Sequence, residues 1–238
     1  MLKKFLLDIL FPQFCLGCRK EGSLVCQDCL SIIEVLEYDF CPFCKKPRRV
    51  FNEGKCSNHR KMKLNGLFAA VSYKDKMANL LIKKFKYEPF LKTLSEPLSS
   101  LIIAHFILTQ NNIFQQKKTD SFFIPVPISS RRKRWRGYNQ SEEIAKILSI
   151  FYQIPLSLKN FIKTHGTEPQ VELSLEERQT NLKDVFKIKN PGEFQGKTIF
   201  LVDDVFTSGA TMEECARTLK EIGAKQVWGI AVAREPLD

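Results

Sequence analysis

The stretch "IFLVDDVFTSGATMEECARTL", residues 199–219, joins a strand pattern to a helix pattern through an unusual connection. Four apolar residues, typical of a buried strand, lead directly into two neighbouring aspartates, Asp203 and Asp204. A short loop rich in hydroxyl groups follows, and apolar residues then recur at helical spacing. Because adjacent carboxylates repel each other, we expect the pair to face a cation or a pair of hydroxyl groups.

The loop after the aspartates has the features of an anion site. Gly209 permits a positive φ or a close approach of the backbone to a ligand, and successive amides at the start of a helix attract an anion. The candidate phosphate residues are Thr207, Ser208, Gly209, Ala210 and Thr211. Carboxylates suit vicinal hydroxyls or the hydration shell of a magnesium ion, so the stretch as a whole matches a ribose 5-phosphate.

Strand and helix patterns alternate along the chain after residue 60. Strands are predicted over 67–73, 121–127, 197–202 and 226–234, with weaker ones at 158–164 and 184–189. Helices are predicted over 77–85, 94–106, 141–152, 174–183 and 211–223, and the polar segment 109–121 is predicted to be a loop. The alternation predicts an α/β domain whose mostly parallel sheet is flanked by helices and binds ligands at the carboxyl ends of its strands.

The composition favours a globular protein with a polyanionic partner. The 238 residues are 44% hydrophobic and carry a formal net charge of +11, which suits nucleic acid, a polyphosphate ligand or an acidic membrane surface. No apolar run approaches the roughly 20 residues that span a bilayer, and we expect a cytoplasmic location. Segment 2–10 is predicted to form an amphipathic helix that packs on its own domain, with contact to a membrane or a partner as the alternative.

Seven of the eight cysteines lie between residues 15 and 56: six form pairs with two residues between the members, and Cys56 has the same spacing to His59. With one histidine they supply eight ligands: Cys15, Cys18, Cys26, Cys29, Cys41, Cys44, Cys56 and His59. Eight ligands suit two tetrahedral zinc ions, which we interpret as structural because no position is left for water. The simplest pairing joins the first four and the last four ligands. A crossed pairing is one alternative, and redox pairs or an iron–sulfur cluster are others.

The segment VDDVFTSGAT resembles the phosphoribosyl pyrophosphate (PRPP) motif of type I phosphoribosyltransferases. In that family two acidic residues contact the ribose 2′ and 3′ hydroxyls and the loop holds the 5-phosphate. The resemblance implies that Asp203 and Asp204 are catalytic residues that position the sugar of magnesium-bound PRPP, while residues 207–211 bind its phosphate. Ser208 stands where the family commonly has threonine, and it keeps the hydroxyl.

Four further features occur in the order found in the ComF family: the zinc knuckles, "KFKY" (84–87), "PVPISSRRKRWRGYNQS" (125–141) and "RQTNLKDVF" (178–186). ComF proteins pair a double zinc ribbon with a phosphoribosyltransferase-like domain and are linked to natural competence, the uptake of single-stranded DNA. The resemblance covers nearly the whole chain and implies two domains. These are an N-terminal helix with the double zinc ribbon at 1–62 and a phosphoribosyltransferase-like domain at 63–238. His59 departs from the family, whose members often have cysteine there.

A basic turn, defined here as residues 128–136, follows the strand at 121–127 and precedes a helix. In type I phosphoribosyltransferases a loop at this place holds the pyrophosphate, which implies a role for Ser129, Ser130, Arg131, Arg134, Arg136, Asn139 and Gln140. Alternatively, the cations bind a DNA backbone while Trp135 or Tyr138 stacks on bases. A solvated basic surface is the third interpretation. The resemblance also implies that Arg178 and Asn181 of "RQTNLKDVF" face the site.

Two functions are compatible with these features. The first is a ComF-like protein that binds PRPP or a nucleotide-like ligand and handles single-stranded DNA, with a competence helicase or a membrane channel as partner. Such a protein would be cytoplasmic, or peripheral at the inner face of the membrane. The second is an active phosphoribosyltransferase that transfers phosphoribose from PRPP to an acceptor that the residues do not identify.

Overall fold

The structure, a computed structural model, describes residues 12–44, 46–50, 54–164 and 185–235. The amphipathic helix predicted over 2–10 and the helix predicted over 174–183 lie outside the described residues, as do Arg178 and Asn181. The described helices are α1 (Gln27–Ser31), α2 (Lys76–Lys86), α3 (Ser95–Leu108), α4 (Ile113–Lys117), α5 (Ser130–Arg136), α6 (Gln140–Tyr152) and α7 (Ala210–Glu221). The described strands are β1 (Asp39–Phe40), β2 (Arg49–Val50), β3 (Gly66–Ser72), β4 (Ser121–Pro125), β5 (Phe161–Lys163), β6 (Phe186–Ile188), β7 (Thr198–Phe206) and β8 (Gln226–Arg234).

A four-stranded sheet in the order β3-β8-β7-β4 forms the centre of the larger part of the chain, and every neighbouring pair in it is parallel. Parallel sheets are covered on both faces, which explains why β3 and β8 read as almost uninterrupted buried apolar runs. The predicted fold class, a mostly parallel α/β sheet flanked by helices and preceded by a small cysteine-rich region, is confirmed.

Two hydrophobic clusters lie on opposite faces of this sheet. One face carries Phe200 and Val202 of β7 and packs against buried residues of α2, α3 and α6. The other carries Ile199 and Leu201 and packs against α7, including the fully buried Cys215. Successive β7 side chains therefore enter different cores, as the two-residue period of a strand requires.

The segment 109–121 is not the simple loop that its polarity predicts. It contains α4, and both Ile113 and Phe114 of that helix are buried. The ring of Phe114 lies 4.1 Å from that of Tyr152 and 4.4 Å from that of Phe106. Two aromatic contacts thus outweigh the polar composition of the segment. The two weak strands also exist, as the antiparallel pair β5–β6.

The zinc head, defined here as the described residues of 12–62, packs directly on the body, the described residues from 63 onward. The backbone N–H of Leu36 donates to the carbonyl of Ala70 in β3 over 2.8 Å. His105 of α3, which has no exposed surface, contacts the head through both ring nitrogens: Nδ1 lies 2.6 Å from the Leu36 carbonyl oxygen and Nε2 lies 3.0 Å from Asp39 Oδ1. Each helix that the structure describes is too short or too polar to cross a membrane.

Candidate functional site

The acidic pair lies within β7 and not at its end, because the strand continues to Phe206. Asp203 pairs in register with Ala231 of β8, whereas β4 stops at Pro125, opposite Val202. The pair therefore lies beside the point where the neighbouring strand has ended. This opening at the carboxyl edge of the sheet is where ligands bind in open parallel sheets.

Lys86, the last residue of α2, is the cation that pairs with Asp204. Its Nζ donates to Asp204 Oδ1 over 2.9 Å, and Asp204 is only 4% exposed. Burial alone would lower the pKa of Lys86, but the charges of Asp204 and Asp203 outweigh burial and the pKa is raised. Lys86 belongs to the "KFKY" segment, 84–87. Because 118 positions separate the two residues, no local pattern could have joined them.

Asp203 has neutral partners instead of a cation. Ser141 Oγ donates to Asp203 Oδ1 over 2.9 Å, and the backbone N–H of Asp204 donates to the same oxygen over 2.9 Å. Burial, followed by the charge of Asp204, raises the pKa of Asp203 to about 7. Asp203 therefore carries a proton as the pH falls below about 7, while Asp204 forms a salt bridge with Lys86.

The candidate phosphate loop, residues 207–211, connects β7 to the N-terminus of α7. Gly209 caps this helix with a φ of +78°, and a Cβ at this position would lie 2.5 Å from the ring of Phe206. Glycine is thus required both by the left-handed backbone and by the neighbouring ring. Thr207 is exposed, while Ser208 and Thr211 are partly exposed. The loop therefore presents hydroxyl groups and helix-terminal amides at the same edge of the sheet as the carboxylates.

The basic turn is in fact mostly a helix, α5, which contains Ser130 through Arg136. Ser129 is its N-cap, with Oγ accepting from the Arg132 backbone N–H over 3.3 Å, and Gly137 ends it with a φ of +79°. Lys133 donates to Glu142 of α6 over 2.9 Å, so the two helices are linked by an ion pair. A capping serine and a terminating glycine explain why so dense a run of cations is helical.

The residues predicted for the basic turn have different environments. Arg131 and Arg134 are exposed, whereas Arg136 is half-buried and donates from Nη1 to Gln140 Oε1 over 3.0 Å. Burial lowers the pKa of Arg136, and the nearby charge of Asp204 opposes this effect. Arg136 is therefore a cation of α5 on which the charge of Asp204 acts, and it is the least exposed cation of that helix.

Asn139 and Gln140 are buried and fasten the start of α6. Asn139 Oδ1 accepts from the backbone N–H of Ser141 over 3.1 Å, and its Nδ2 donates to the Val126 carbonyl over 3.1 Å. Gln140 Nε2 donates to the Phe85 carbonyl over 3.4 Å. These bonds hold α6, and with it the Ser141 hydroxyl, next to both the loop after β4 and the end of α2.

The expectation that Tyr138 could stack on a base is wrong. Tyr138 is 6% exposed, its ring lies 5.5 Å from that of Phe85, and its hydroxyl donates to the Phe85 carbonyl. Trp135, by contrast, is 56% exposed. Tyr138 is therefore a core residue that packs on Phe85.

The eight predicted metal ligands form two clusters in the zinc head. In each cluster, the four ligand atoms all lie within 4.8 Å of one another. The first cluster contains Cys15, Cys18, Cys26 and Cys29, and the second contains Cys41, Cys44, Cys56 and His59. The knuckles are thus grouped in sequence order and not in the crossed order.

The geometry of both clusters fits a tetrahedral zinc ion. Four sulfur ligands at about 2.3 Å from one ion lie about 3.8 Å from each other. The Sγ atoms of Cys18 and Cys26 are 3.5 Å apart, and Cys56 Sγ lies 3.2 Å from His59 Nδ1. Cys15 and Cys29 are also buried in the core of the body, beside Met77. The two clusters therefore suit structural zinc.

Comparisons with known proteins give the same two parts. A model of the double zinc ribbon domain matches residues 6–59, and a model of the phosphoribosyl transferase domain matches residues 136–236. The competence protein F of Haemophilus influenzae is 28% identical over 230 residues, which cover 92% of this chain and 96% of that protein. The competence protein ComFC of Bacillus subtilis is 28% identical over 212 residues, which cover 86% of this chain and 81% of that protein.

A shorter match is found to the DNA utilization protein YhgH of Escherichia coli O157:H7, which is 37% identical over 107 residues, or 44% of this chain and 46% of that protein. Fold, ligand clusters and family models together define a double zinc ribbon joined to a phosphoribosyl transferase domain. This combination is the one that the resemblance to the ComF family predicted, and the two competence proteins are similar to the chain over most of its length.

Proposed function

We propose that the acidic pair and the phosphate loop bind the ribose 5-phosphate part of magnesium-bound PRPP. The observation that carries this proposal is the placement of Asp203 and Asp204 beside the end of β4, with residues 207–211 leading from the same strand into α7. One edge of the sheet thus offers acceptors for two sugar hydroxyls, and a helix N-terminus offers donors for a phosphate.

The cations around the pair would serve the pyrophosphate end of the ligand. Lys86 Nζ lies 2.9 Å from Asp204 Oδ1, and the charge of Asp204 also acts on Arg136. The exposed Arg134 and Arg131 lie about half a turn and about one and a half turns before Arg136 on α5. A guanidinium suits pyrophosphate oxygens because it donates in a planar, bidentate manner. We therefore assign the pyrophosphate contact to Arg136 ahead of Arg131 and Arg134.

Magnesium would arrive with the pyrophosphate and neutralise it. The ion takes oxygen ligands and keeps several of its waters, which suits an edge lined by carboxylate and hydroxyl oxygens. Lys86 already neutralises Asp204 in the ligand-free protein. The carboxylates can thus serve the sugar without a metal ion of their own.

Binding of magnesium and PRPP tests this proposal by isothermal titration. We expect one site per chain in the wild type, and heat that disappears in Asp203→Asn combined with Asp204→Asn. Asp120→Asn is the matched control, since Asp120 is a carboxylate whose side chain is 69% exposed and pairs with Lys197 before β7. Unaltered binding by the double variant would refute the assignment.

We also propose that the protein handles single-stranded DNA during its uptake, in the cytoplasm or at the inner face of the membrane. Two relatives that match most of the chain are named competence proteins, and a third is named a DNA utilization protein. The net charge of +11 and the exposed arginines of α5 suit a phosphate backbone. A helicase or a membrane channel that delivers the strand is the expected partner.

Turnover is a second candidate function. A cation beside the acidic pair would hold a departing pyrophosphate while the carboxylates favour the positive charge that develops at the sugar. Release of pyrophosphate from PRPP, measured with and without nucleobases or single-stranded DNA, decides between an active transferase and a binding protein. Release that is absent in the Asp203→Asn, Asp204→Asn variant would establish turnover at this site.

A further inference from the structure

Three aromatic side chains lie together where the end of α2 meets α5. Trp135 is 56% exposed and Tyr87 is 49% exposed, while Phe90 is partly buried. The rings of Phe90 and Trp135 meet edge to face, with centroids 5.0 Å apart and an interplanar angle of 84°. We name Tyr87, Phe90 and Trp135 the aromatic platform. Trp135 therefore packs against Phe90 on one edge while more than half of its surface stays exposed.

Cations surround this platform. The guanidinium carbon of Arg136 lies 5.9 Å from the ring centroids of both Tyr87 and Trp135, so it bridges the two exposed rings. Arg131 and Arg132 are exposed one turn before Trp135 on α5, at the four- and three-residue spacings that share a helix face. Glu88 is the one carboxylate of segment 87–92. Exposed rings interleaved with arginines match bases attached to a phosphate backbone.

The platform also adjoins the acidic-pair site. Tyr87 follows Lys86 directly, and Lys86 holds Asp204. The guanidinium of Arg136 lies beside the rings of Tyr87 and Trp135, and the charge of Asp204 acts on the same group. A strand lying on the platform would therefore pass the mouth of the sugar-phosphate site.

We propose that Tyr87, Phe90 and Trp135, with Arg136 between the two exposed rings, form a base-stacking site for single-stranded DNA. This inference rests on the proposed DNA-handling function and names the surface that performs it. It requires no sequence preference, because every base offers a face for stacking. The arginines of α5 supply the attraction to the backbone, and the platform supplies the contact that distinguishes a nucleic acid from any other polyanion.

Tryptophan fluorescence measures binding at the platform directly. The chain contains two tryptophans, and because Trp228 is only 6% exposed, a bound strand can reach Trp135 alone. We expect a twelve-residue oligothymidine to quench the emission of Trp135 at low salt. Trp135→Ala should bind a fluorescein-labelled form of this oligonucleotide at least about fivefold more weakly, the lower limit for loss of one stacked base. Trp135→Phe retains a stacking ring, so it should keep the affinity and lose the quenching.

Two controls isolate the role of the bases. Phe151→Ala removes another exposed aromatic ring, 56% exposed at the far end of α6, and should leave the affinity within about twofold. An oligonucleotide of the same length with abasic positions keeps the phosphates and lacks the bases. Wild type and Trp135→Ala should bind it equally, with the salt dependence that backbone contacts produce.

The outcomes separate this proposal from the function on which it rests. If the wild type fails to bind oligothymidine at low salt, the DNA-handling function itself fails. If it binds, and folded Trp135→Ala binds equally tightly, DNA handling stands and the platform is refuted. Equal affinity of the wild type for the abasic and the normal strand would likewise refute stacking, because the site would then recognise only a polyanion.

Discussion

Each metal cluster of the zinc head draws its four ligands from one short stretch, residues 15–29 or residues 41–59. The acidic-pair site instead draws its groups from four elements: Lys86 from α2, Arg136 from α5, Ser141 from α6, and the aspartates from β7. The positions of the metal ligands thus depend on residue spacing within one segment. The acidic-pair site depends instead on how the fold arranges separate strands and helices. The two regions should therefore fail in different ways when single residues are changed.

The largest expected effect is the loss of zinc from the head. A strong chelator should release two zinc ions per chain and unfold the head, since metal binding to such small regions supplies much of their folding free energy. Elemental analysis and circular dichroism before and after chelation measure both events. Fewer than one zinc ion per chain in the purified protein would contradict the two-site interpretation.

A matched pair of cysteine variants sharpens the same prediction. Cys18 is exposed, whereas Cys29 is 7% exposed and part of the core of the body. Cys18→Ser and Cys29→Ser should each lose one zinc ion. Cys29→Ser should also lower the Tm of the body by several degrees more, because its side chain packs in that core. Equal Tm values would show that head and body are energetically separate.

The second effect concerns the salt bridge inside the acidic-pair site. Lys86→Met leaves the 4% exposed Asp204 without its cation, and we expect a loss of roughly 3 kcal/mol in the free energy of unfolding. Lys83→Met, an exposed lysine on the same helix, should change it by less than about 0.5 kcal/mol. Urea denaturation measures both variants, and a result for Lys86→Met as small as the control would contradict a structural salt bridge.

The same comparison explains why more of the zinc head than of the acidic-pair site could be predicted from the sequence. The zinc ligands and the need for glycine at position 209 could be predicted because each depends on a local spacing or a turn. Lys86 and Ser141 could not, since they lie 118 and 62 positions from their partners in β7. The sequence also could not distinguish exposed Trp135 from buried Tyr138. The burial of Tyr138 depends on its contact with Phe85, which lies far away in the sequence, in α2.

A third prediction uses the pH dependence of Asp203. Because burial and the charge of Asp204 raise its pKa to about 7, the folded state binds a proton that the unfolded state releases near pH 4. The stability that this proton contributes is present below about pH 4 and is lost as the pH rises towards 7. In the absence of ligand, Asp203→Asn should thus gain in Tm relative to the wild type between pH 5 and pH 7.5. A difference that stays constant over this range would contradict the raised pKa.

The smallest effects should separate the arginines of α5. Arg136→Gln should weaken binding of magnesium and PRPP by about tenfold, as expected for a lost hydrogen bond to a charged group. Arg134→Gln should change it by less than about twofold, because the Arg134 side chain is exposed, whereas Arg136 is half-buried and the charge of Asp204 acts on it. Titration of both variants under identical salt conditions measures the difference. An equal loss of affinity in the two variants would contradict a specific role for Arg136 and would assign the pyrophosphate contact to the basic turn as a whole.

The central claim is that one edge of the sheet is a sugar-phosphate site, and a crystal structure of the protein with magnesium and PRPP tests it most directly. We predict the ribose hydroxyls within hydrogen-bond distance of Asp203 and Asp204, and the 5-phosphate on the amides and hydroxyls of residues 207–211. The pyrophosphate should lie beside Arg136. Ligand density on the exposed arginines of α5, with the acidic pair still bound only to Lys86 and Ser141, would contradict the account.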